Sequence, residues 1–165
     1  MVAWNVAGSE VASHLSQLLG IPVKAGFLKR EKIATEEAGY IALYRTDEGH
    51  LEGTCHLDIP LAAGVGSALS LLSPHLAMEA AKSSDFSPAL VENIHEVLNV
   101  LAALKNGPGV PHVALRQLIR AEEAQEAERL AWMELPLEGS VEISLGAHGS
   151  GRMTLRARSG NRPPA

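Results

Sequence analysis

One stretch of the chain is bounded at both ends by residues that leave it little choice of conformation. Residues 87–105 read SPALVENIHEVLNVLAALK. Ser87 is a good N-cap, and Pro88 suits the first helical turn, where its missing N–H costs nothing. The sequence Asn106-Gly107-Pro108-Gly109 stops whatever precedes it. Between these signals, Leu90, Val91, Ile94, Val97, Leu98, Leu101 and Leu104 fall on one side when residues are set at about 100° each. The spacing predicts a helix from Ser87 to about Lys105. Its apolar face is too broad to stay solvated, so the rest of the chain must supply something to cover it.

The opposite side of this helix carries Glu92, Glu96, Asn99 and Ala103, a spacing of i, i+4, i+7 and i+11 that places them in one row. Any amphipathic helix needs a polar face, and that is the ordinary reading of such a row. Two details point further. Glu92 and Glu96 repel each other slightly at i, i+4, with no lysine to offset them. Asn99 is a poor mid-helix residue, because its amide competes for backbone groups. Ala102 and Ala103 beside it leave room for a partner to approach. The expectation is that Glu92, Glu96 and Asn99 are exposed, and that Ile94, Val97, Leu98 and Leu101 are buried.

The remaining chain alternates short strands and helices. Ser9 to Leu19 has helical periodicity, with Val11, Leu15, Leu18 and Leu19 inward and Gly20 as the residue after its end. IPVKAGFL reads as a short strand, and LKREKIATEEAG as a charged loop. YIALY, the turn Thr46-Asp47-Glu48-Gly49, and HLEGTCHLDI read as a β-hairpin. Asp58 then caps a helix rich in small residues, LAAGVGSALSLL. Its glycines cost helix propensity, which makes sense where another backbone packs closely. PHLAMEAAK reads as a short helix. VPHVALRQLI is a strand candidate, and AEEAQEAER a charged, solvated helix or loop. Trp132–Leu137, Val141–Leu145 and Gly151–Ala157 read as three closing strands. Residues 158–165 read as a disordered tail, and residues 1–157 as a single domain.

Length and composition narrow the functions. A chain of 165 residues can build a core without disulfides or metals. With aromatics at Trp4, Trp132, Phe27, Phe86, Tyr40 and Tyr44 alone, that core must be aliphatic. A net charge of −5 argues against a nucleic-acid binder. The apolar run Ile59–Leu72 is too short and too interrupted for membrane insertion, and the N-terminus has no signal-peptide pattern. The seven histidines form no HxxxH or HExxH pattern, so no metal is expected. His95 lies about 100° from the row and reads as a helix-flank residue. Cys55, the single cysteine, sits in a strand and reads as a small buried residue, consistent with a reducing compartment. GAHGSGRM reads as a hairpin turn. Arg152, Arg156 and Arg158 alternate beyond it, as on an exposed edge strand protected by charge.

Glu96-Val97-Leu98-Asn99 matches the E-x-x-N helix motif, and in this order of elements the chain resembles the CheC, CheX and FliY phosphatases of bacterial chemotaxis. The likeness spans roughly residues 8–157: a hairpin, the small-residue helix DIPLAAGVGSALSLL, a short helix, the motif helix and closing strands. It implies an α+β, CheX-like fold, with an antiparallel-rich sheet of about six strands and long helices packed on one face. It also implies a cytoplasmic protein acting on a phosphorylated response-regulator receiver domain. Asn99 would position the water that hydrolyses the aspartyl-phosphate, and Glu96 would dock on a receiver lysine. Glu92 and Ala103 would line the docking face. The receiver supplies its own Mg²⁺, so no cofactor is implied, and the resemblance allows a homodimer. Glu92 stands where the family has Ser or Asp, and Pro111 comes sooner after Asn99 than the family's downstream proline. Those departures suit an alternative: a CheX-like binding module that docks on a receiver or signalling partner without hydrolysis.

Overall fold

The computed structural model describes residues 8–27, 36, 38–104, 106, 108–109 and 111–158. Among the described residues, five α-helices and six strands follow one another as α1 (Gly8–Leu19), β1 (Lys24–Phe27), β2 (Tyr40–Arg45), β3 (Leu51–Leu57), α2 (Ile59–Leu69), α3 (Pro74–Ser83), α4 (Pro88–Leu101), β4 (Ala114–Arg120), α5 (Glu126–Met133), β5 (Leu137–Ser144) and β6 (Ser150–Ala157). The strands form one antiparallel sheet in the order β1-β5-β6-β3-β2-β4. The expected α+β fold with six strands is therefore the fold observed.

Strand alternation divides the core into two sides. Tyr40, Ala42, Tyr44, Cys55, Leu57, Ile143, Met153 and Leu155 pack with Leu15 of α1, Leu61 and Val65 of α2, and Ile94, Val97, Leu98 and Leu101 of α4. The intervening residues Ile41 and Leu43 turn the other way and pack with Leu51, Ala121, Trp132 and Leu135. The long helices thus cover one face, and the short α5 covers part of the other.

The glycines of α2 have the close neighbours their cost suggests. A Cβ on Gly66 would lie 2.9 Å from Leu90 Cδ1 and 3.1 Å from the Leu90 carbonyl oxygen, and one on Gly64 would lie 2.7 Å from the His148 carbonyl oxygen. Asp58 caps the helix, its Oδ1 accepting the Leu61 N–H at 3.0 Å.

Several expectations are corrected. Residues 132–136 form no strand: Trp132 belongs to α5 and is fully buried. EAERLAWM is built of good helix formers, and its start is fixed where Glu128 Oε1 accepts the Gln125 N–H at 3.2 Å. The closing strands number two, since Val141–Leu145 lies largely within the longer β5. The charged segment before α5 is more than solvated: Glu122 accepts the Gly39 N–H at 2.8 Å and pairs with Arg120. β6 is no edge strand, because β5 and β3 flank it. Its Arg156 instead pairs at 2.7 Å with Glu36, whose side chain is buried. Leu18 is half-buried and packs against the core, as its inward position requires. The loop expected over residues 28–39 falls mostly outside the described residues, as does the tail from residue 159.

Candidate functional site

α4 begins as its sequence dictates. Ser87 Oγ accepts the Leu90 N–H at 3.2 Å, and Pro88 opens the first turn. Leu90, Ile94, Val97, Leu98 and Leu101 are buried. Glu92, Glu96, Asn99 and Ala103 are all exposed, so the predicted row exists as one outward face. The side chains of Glu96 and Asn99 have no hydrogen-bond or ion-pair partner among the described residues. His95 is exposed on the flank of the same helix.

Two contacts hold this face in place, and sequence reasoning missed both. Asn93 Nδ2 donates to the Gly66 carbonyl at 2.9 Å and also meets Ser70 Oγ, which clamps α4 to α2. The second contact arises where the helix tightens. α4 ends at Leu101 and continues as a 3₁₀ turn over Ala102–Leu104, short of the expected Lys105. The Ala102 N–H therefore turns to the carbonyls of Asn99 and Val100 instead of Leu98. The Leu98 carbonyl accepts from Tyr44 Oη at 2.6 Å, in the buried core. Burial pushes the Tyr44 phenol well above its usual pKa, so it remains a donor. A signal for Asn93 was present: it is a second mid-helix amide, outside the polar row and therefore in need of a partner. No local signal marks Tyr44, whose contact spans 54 positions.

Chemically, the face offers a carboxylate and a carboxamide one turn apart on a rigid helix. A carboxylate can meet a partner's cation, and a carboxamide can both accept from and donate to a water. Elsewhere, Cys55 is fully buried, and burial, with the nearby Glu36 adding to it, pushes its thiol far above the usual range. It is no nucleophile. Among the described residues no three His, Cys, Asp or Glu side chains gather as metal ligands would, and no helix is long and apolar enough to cross a membrane.

No protein-family model and no curated protein matches the sequence. Solved structures do match its fold. The FliM middle domain from H. pylori superposes with a TM-score of 0.60 at 10% identity, over 92% of this chain and 84% of that one. FliY from Thermotoga maritima gives 0.58 at 13%, over 95% and 86%. A chain of the CheX–CheY–BeF3–Mg²⁺ complex from Borrelia burgdorferi gives 0.54 at 16%, over 94% and 100%. The class is thus defined by a fold: one antiparallel sheet with long helices on one face. This chain has the fold shared by CheX, FliY and the FliM middle domain.

Proposed function

We propose that the protein is a CheX-like phosphatase that acts on a phosphorylated receiver domain in the cytoplasm. The observation that carries this reading is the exposure of Glu96 and Asn99 on one face of α4, within a fold shared with CheX. In-line attack of water on an aspartyl-phosphate needs positioning more than covalent help. On this reading the Asn99 carboxamide holds the attacking water, and the Glu96 carboxylate docks on a receiver cation. Glu92 and Ala103 line the contact, with the small Ala103 leaving space for the receiver surface. The receiver brings its own Mg²⁺.

A second reading has its own support. Glu92 replaces the Ser or Asp of the resembled family, and the FliM middle domain is as good a structural match as FliY. Both favour a module that docks without hydrolysis.

Phosphate release from a panel of purified, phosphorylated receivers separates the readings. The phosphatase accelerates release from at least one of them. Asn99→Ala then lowers that acceleration on the order of 10²-fold while leaving binding intact. Glu96→Lys weakens binding itself, because it sets two cations against each other. Binding without acceleration establishes the module. Neither binding nor acceleration overturns both readings.

A further inference from the structure

Leu71 is 87% exposed and holds a left-handed φ of 57°. It follows α2 in a Schellman turn: the Leu71 N–H donates to the Ala68 carbonyl at 3.1 Å, and the Leu72 N–H to the Ser67 carbonyl at 2.9 Å. Glycine is the usual residue at this position, because a Cβ is disfavoured there. A leucine therefore strains the turn and gains little burial in return. Leu72 and Leu76 nearby are 39% and 44% exposed.

Leu72 and Leu76 line a groove of about 290 Å³ between α3 and the first turn of α4, and Leu71 precedes Leu72 at its margin in the chain. Leu72, Leu76 and Leu90 give it apolar walls. Ser67 lines it as well, 1% exposed, with an Oγ that has no hydrogen-bond partner. Glu79 and Asp85 add carboxylates, and no lysine or arginine lines it. Glu79 also lies 3.1 Å from the exposed His75 ring.

We propose that Leu71 and this groove form a docking surface for an amphipathic segment of another protein, with an apolar anchor flanked by lysine or arginine. The anchor fills the groove against Leu72, Leu76 and Leu90. A polar group beside it reaches Ser67 Oγ. The flanking cations face Glu79 and Asp85. A second copy of this chain carries the same net charge of −5, which disfavours it as the occupant of an acidic groove. The surface lies on α2, α3 and the first turn of α4, whereas Glu96 and Asn99 lie in the last two turns of α4. It stands independently of the phosphatase reading.

The test uses two labelled helical peptides of about 14 residues. Both carry leucine at i, i+3, i+4 and i+7, with lysine at the other positions of one and glutamate at those of the other. Fluorescence anisotropy against the full chain should show the lysine peptide binding at least about tenfold more tightly than the glutamate peptide. Leu71→Gly should weaken lysine-peptide binding about tenfold, as for loss of an interface anchor. The same change should raise Tm by about 2 °C, because it relieves the turn. Asp85→Lys should also weaken the lysine peptide. Equal binding of the two peptides, no binding of either, or unchanged affinity in Leu71→Gly would each overturn the proposal. Self-association of the wild type that Leu71→Gly abolishes would assign the face to a second copy and overturn the partner segment.

Discussion

At the scale of single residues, Tyr44 ties the polar row to the sheet. The 3₁₀ tightening after Leu101 removes the usual donor to the Leu98 carbonyl, and Tyr44 Oη replaces it at 2.6 Å. That carbonyl immediately precedes Asn99, so the phenol fixes the backbone from which the amide projects. Tyr44→Phe should preserve the packing and leave a buried carbonyl unsatisfied, which costs about 1–3 kcal/mol. Urea unfolding of the two proteins measures this loss. An unchanged midpoint would mean that the carbonyl finds another donor. Not every residue role is equally legible in sequence. Glu96, Asn99 and Cys55 could be placed because exposure or burial follows from their position in a periodic element. Tyr44 and Asn93 could be placed only once their distant partners were known.

At the scale of elements, α4 was the most legible part of the chain. Its start is chemical, from Ser87 and Pro88, and its inward face follows from a repeat of 3.6. Its neighbours were half legible: Gly64 and Gly66 signal close approach without naming Leu90 or His148 as what approaches. α5 was misread because Trp132 followed by alternating residues imitates a strand, whereas the helix-forming run before it extends through the tryptophan. The two faces of α4 should respond oppositely to truncation. Leu98 is fully buried, and Leu98→Ala should cost about 2–5 kcal/mol through lost contact and the cavity it leaves. Asn99 is exposed and a weak helix former, so Asn99→Ala should change stability by less than about 1 kcal/mol, or raise it. Thermal unfolding of both variants checks the contrast. A large loss in Asn99→Ala would make the amide structural and remove it from the proposed chemistry.

At the scale of the whole molecule, strand order was the hidden variable. Alternating arginines on β6 imitate a protected edge, yet β6 runs near the middle of the sheet, and Arg156 is answered by Glu36, 120 positions away. No local pattern encodes such a pairing. The same face of the sheet holds His56, 5% exposed, whose Nε2–H donates to the Ala38 carbonyl at 2.6 Å. Burial lowers its pKa, against the opposing pull of that carbonyl and of Glu36, Asp58 and Glu122. An unfolded histidine takes up a proton near pH 6.5, which the folded imidazole resists. Its contribution to stability is therefore complete above about pH 6.5 and is lost as pH falls toward the lower folded value. His56→Gln retains a donor for the Ala38 carbonyl and has no charge to acquire. Between pH 7.5 and 5, its Tm should fall less steeply than that of the wild type. Every other ionisable group is common to both proteins, so the difference between the two profiles isolates His56. Parallel profiles would show that the acid sensitivity of the fold originates elsewhere than in His56.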